Sequence, residues 1–107
     1  MLSNLKNAGM RIAGVCASAK GNTLLNYCKI GTDTLDYISE ASELKIGKYS
    51  PGMHIPVVSD DVLVLDQPEY ALMLACNFHG SIIPILRKKG YRGKFILPWP
   101  YVQIYKD

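Results

Sequence analysis

Lys20 is the one charged residue between Arg11 and Lys29, in the stretch IAGVCASAKGNTLLNYC. Apolar residues come first, then small ones, then Gly-Asn-Thr ahead of a leucine pair. That order predicts a buried strand, a tight turn and a helix opening on Gly21, Asn22 and Thr23. The first turn of a helix carries backbone N–H groups without intrahelical partners, and the helix dipole favours an anion beside them. Lys20 would add a full positive charge, and the amides of Gly21, Asn22 and Thr23 would add donors. The chemistry on offer is the holding of a phosphate or similar anion. A turn in which Asn22 or Thr23 only caps the helix is the alternative.

The same loop departs from the dinucleotide pattern G-x-G-x-x-G, because Cys16 stands at the second glycine and Gly21 comes late. It is not a Walker loop either, since no G-K-S/T occurs. Glu40 closes a predicted strand, where a carboxylate can accept hydrogen bonds from ribose hydroxyls or simply sit exposed. Asn77 closes another, and its amide can serve a ligand or a neighbouring loop. His54, in PGMHIP, reads as a surface-loop histidine. Cys16 is either a nucleophile or a small buried hydrophobe. No nucleophile, base and orienting acid come together, so no catalytic residue is assigned. With no second glycine-rich motif there is no separate place for S-adenosylmethionine. The residues are those of a binder.

The elements that must position these groups alternate along the chain. A helix over Leu2–Ala8 stops at Gly9, a C′ glycine. Arg11–Ala17 is a strand, apolar on both faces. Asn22–Ile30 is a helix with Leu24, Leu25 and Cys28 on its apolar stripe, closed by Gly31. Thr34–Glu40 is a strand, followed by a Gly- and Pro-punctuated loop from Ala41 to Pro56 and a short strand at Ile55–Val58. Ser59 caps a brief helix over Asp60–Leu65. Tyr70–Cys76 is a fourth strand and Phe78–Lys89 a helix ended by Gly90, with Pro84 in its first turn or kinking it. Lys94–Leu97 is a fifth strand, before the Pro98-Trp99-Pro100 break. Such alternation predicts a three-layer α/β domain around an open parallel five-stranded sheet, and right-handed crossovers favour the order 3-2-1-4-5. Ligands of such sheets bind outside the strands' carboxyl ends, where the order reverses.

At 107 residues the chain is a single domain spanning 1–107, and its 49% apolar and 20% charged content is that of a globule. The net charge is +3. Arg87, Lys88, Lys89, Arg92 and Lys94 gather at a helix end whose dipole they complement. No aromatic stacking pattern interleaves with them, so nucleic acid is not an expected partner. His54 and His79 lack partners at metal-ligand spacing, and no metal is expected. An odd number of cysteines, Cys16, Cys28 and Cys76, without C-x-x-C spacing, suggests a reducing compartment. IAGVCASA is too short and too broken by Gly14 for a secretory signal, and no run approaches a membrane span. The expectation is a cytoplasmic protein.

AGVCASAKGNTLLNYC resembles the hallmark of the C-terminal domain of sugar C-methyltransferases, a pattern near AGYGASAKGNTLLNYC. The similarity continues through IGTDTLDYISE, KIGKYSPGMHIPVVS, ALMLACNF and GKFILPWP. The resemblance implies a Rossmann-like accessory domain, with residues 1–10 as a linker helix, following an S-adenosylmethionine-binding catalytic domain. It further implies a methyl transfer to a nucleotide-linked deoxyketosugar, in which a base forms an enolate that attacks the cofactor methyl. The catalytic and cofactor-binding residues belong to that preceding domain, so no cofactor is expected on this one alone. Ser18, Ala19, Lys20, Gly21, Asn22 and Thr23 carry over as candidate substrate contacts, joined by Glu40, which replaces the usual aspartate, and by Asn77. Val15-Cys16 replaces Tyr-Gly. Two other readings stand beside this one: an interaction module with an empty fold, and a dinucleotide or coenzyme A binder.

Overall fold

Strands buried on both faces need apolar side chains, and IAGV, YALM and the last three residues of KFIL meet that need in one sheet, with Lys94 exposed at the start of its strand. The computed structural model describes residues 2–16, 19–41, 44–74, 79–97 and 103–105, with 2–3, 19–22, 79–81 and 103 described by their backbone. Its elements are α1 (Leu2–Asn7), β1 (Ile12–Val15), α2 (Ala19–Tyr27), β2 (Ile38–Glu40), β3 (Val57–Ser59), α3 (Asp60–Asp66), β4 (Tyr70–Met73), α4 (His79–Lys89), β5 (Lys94–Leu97) and β6 (Gln103–Ile104). The strands form one sheet in the order β3-β2-β1-β4-β5-β6. The first five are parallel, in the order expected from the sequence. The sixth is an addition: β6 pairs antiparallel with β5.

Side chains alternate between the two faces and make two cores. On one face Ile12, Ile38, Val57, Leu72 and Ile96 pack with Leu25 of α2, while Leu5 of α1 rests against them. On the other, Ala13, Val15, Met73, Phe95 and Leu97 pack with Leu63 of α3 and Leu86 of α4. Gly14 lies where a Cβ would come within 3.1 Å of Leu74 and 3.2 Å of Ile38. The absence of a side chain lets the first core close over β1.

Several boundaries differ from the sequence reading. Gly9 takes φ +82° and ends α1 as expected, its N–H reaching the Lys6 carbonyl at 3.0 Å. Helix α2 starts at Ala19, ahead of Asn22, and stops at Tyr27. Gly21 is therefore inside its first turn, where a glycine weakens a helix without ending it. The helix closes at Lys29, left-handed at φ +55°, and not at Gly31, with Ile30 N–H donating to the Leu25 carbonyl at 2.8 Å. Leu25 is buried and Leu24 half-buried, but Cys28 is exposed and leaves the apolar stripe. Strand β2 keeps only the last part of Thr34–Glu40, because Leu35 is drawn into a turn by its N–H bond to the Gly31 carbonyl at 3.0 Å. Strand β3 is shifted to Val57–Ser59. Pro84 lies within α4, past its first turn.

Ser59 caps α3 as expected, its Oγ accepting from Asp61 N–H at 3.2 Å. Strand β5 has its expected limits. Ala17, Cys76, Phe78 and Pro98-Trp99-Pro100, on which parts of the sequence reading fall, lie outside the described residues. No helix among the described residues is long and apolar enough to cross a membrane.

Within the loop after β2, the segment 47–50 folds back along β3: Gly47 N–H donates to the Val57 carbonyl at 2.9 Å and Ser50 N–H to that of Ile55 at 2.8 Å. The turn at its tip is held to α2 by Asn26, whose amide donates to the Pro51 carbonyl at 3.1 Å. Gly52, at φ +85°, lets Asn26 come that close, since a Cβ there would collide with the Asn26 side chain.

Candidate functional site

The sheet order reverses between β1 and β4: β1 leads to β2 on one side, and β3 returns to β4 on the other. Helix α2 begins at Ala19, just past the carboxyl end of β1. Its first turn therefore stands at the crevice where such sheets take ligands. By helix geometry the amides left without intrahelical acceptors include those of Ala19, Lys20 and Gly21. The amide of Thr23 faces the Ala19 carbonyl one turn back, and that of Asn22 is already at the fourth position. Of the three amides expected from the sequence, those of Gly21, Asn22 and Thr23, only that of Gly21 is among those left without acceptors. Thr23 is exposed. Ser18 and Asn77 lie outside the described residues.

Cys16 closes β1 with φ +71°. Its N–H donates to the Ser39 carbonyl at 2.8 Å, and its side chain packs half-buried against the α3–α4 core. Burial, and then the charges of Glu40 and Asp60, push its thiol up to about 11, with Lys45 opposing them. At neutral pH it is a protonated thiol, which favours the small-hydrophobe reading over the nucleophile.

Glu40 is buried, not exposed, at 8% accessibility. Its Oε2 accepts the Ala41 N–H at 3.0 Å, bracing the turn that leaves β2. Ser39, fully buried, donates through Oγ to Asp60 Oδ1, and Asp60 Oδ2 stands 3.7 Å from Lys89 Nζ. This chain ties the end of β2 to the start of α3 and the last turn of α4. Ser39, Lys45 and Asp60 were not singled out from the sequence. Ser39 had one signal, a hydroxyl on a doubly buried strand that must find a partner.

Around Cys16, Glu40 and Asp60 raise the thiol and Lys45 lowers it, while Lys89 partners Asp60.

The basic cluster serves the fold in part. Arg87 donates to the Tyr91 and Gly93 carbonyls at 2.9 and 2.6 Å and stacks 4.7 Å from the centre of the Phe95 ring. His54 is exposed in its loop at φ +55°. A shallow depression lined by Asp61, Val64, Leu65 and Lys89 lies between α3 and α4, away from α2. At the amino-terminal edge of the sheet, Asp66 accepts from the Arg11 guanidinium and from the Tyr37 hydroxyl at 2.8 Å. The Arg11 hydrogen bond holds the Asp66 carboxyl below its ordinary range.

The profile of the C-methyltransferase C-terminal domain family matches residues 1–100, and the chain belongs to that family. It is similar to the C-methyltransferase NovU of Streptomyces niveus, with 36% identity over 95 residues, covering 86% of this chain and 22% of that protein. The chain thus spans about a fifth of the length of that relative.

Proposed function

We propose that this domain is the accessory part of an S-adenosylmethionine-dependent C-methyltransferase acting on a nucleotide-linked deoxysugar, and that it helps to hold the nucleotide-sugar. The observation that carries the reading is the start of α2 at the reversal of strand order; in this reading its open amides and the charge of Lys20 receive a phosphate. The amides of Ala19, Lys20 and Gly21 take its oxygens. Glu40, at the end of β2, is the candidate for the ligand's hydroxyls.

In this reading S-adenosylmethionine is not bound by these residues. The loop after β1 lacks the glycine pattern of a dinucleotide-type cofactor site, with Cys16 at the second glycine. The cofactor is assigned to a separate catalytic domain, and no methyl-transfer step passes through this chain. Alone it is expected to be inactive, working in the cytoplasm once joined to that domain.

Calorimetric titration with uridine and thymidine diphosphates tests the cradle. Lys20→Ala is expected to weaken binding by about 1–3 kcal/mol, roughly 5- to 150-fold. Unchanged affinity would remove Lys20 from the site, and no binding to the unmodified chain would remove the cradle.

One observation favours a second reading, a packing module that binds its catalytic neighbour and ignores nucleotides. Leu65 and Ile85, on α3 and α4, are 86% and 53% exposed, with Val62 beside them on α3. Exposed apolar patches mark interfaces, and the same titration separates the two readings.

A further inference from the structure

We draw no further inference here: the strongest candidate, the apolar surface that Val62 and Leu65 of α3 and Ile85 of α4 present around a shallow depression, belongs to the packing reading already given, and nothing in the structure shows what covers it.

Discussion

Cys16 holds a backbone conformation that costs an L-residue about 1–2 kcal/mol, at φ +71°. Replacing it by Gly or Ala removes the same thiol contacts, but only Gly relieves the strain. Cys16→Gly is expected to be more stable than Cys16→Ala by about 1 kcal/mol in urea unfolding; equal stabilities would show that the turn relaxes by itself. The thiol, raised to about 11 by burial, should also react slowly. Iodoacetamide at pH 7.5 is expected to label exposed Cys28 before Cys16, read by mass spectrometry.

At the other end of the sheet, Asp66 is held below its ordinary range by Arg11. A carboxyl depressed on folding adds stability above its unfolded value of about 3.9 and loses it as pH falls through the folded value. Tyr37 is raised, first by burial and then by its bond to Asp66. Its contribution is intact below pH of about 10 and is lost as pH rises beyond that. Asp66→Asn should therefore flatten the acid limb of a stability profile; an unchanged limb would assign acid loss to other carboxyls.

Between elements, the Ser39–Asp60 bond joins β2 to α3 inside the protein. Ser39→Ala leaves a buried carboxylate short of a donor and is expected to cost about 1–3 kcal/mol, measured by thermal or urea unfolding. A neutral result would mean that Lys89 satisfies Asp60 unaided.

The elements themselves were legible in the chain because parallel strands write their burial as unbroken apolar runs. Gly9 and Gly90 marked helix ends through left-handed conformations that few other residues adopt. Gly21 misled for a physical reason: a glycine reads as a helix boundary, yet a first turn tolerates it. The start of α2, and with it the set of available amides, was misplaced by that one residue. Glu40 could not be judged from sequence, since burial at a strand end depends on how the following loop folds back. Strand β6 was invisible, as a two-residue antiparallel pairing leaves no periodicity to read.

At the scale of the whole molecule, the apolar surface of α3 and α4 contributes little to folding. Leu65→Lys is expected to leave the thermal midpoint nearly unchanged, with a stability difference within about 0.5 kcal/mol; a large drop would mean that this leucine packs within the domain. The two borders of the sheet have a consequence of their own. The segment 47–50 lies along β3 on one side and short β6 lies along β5 on the other. Long bare strand edges are templates on which other chains can stack into fibres. Here the polypeptide itself covers the start of β3 and the outer side of β5, which shortens the bare edge available to that route to aggregation.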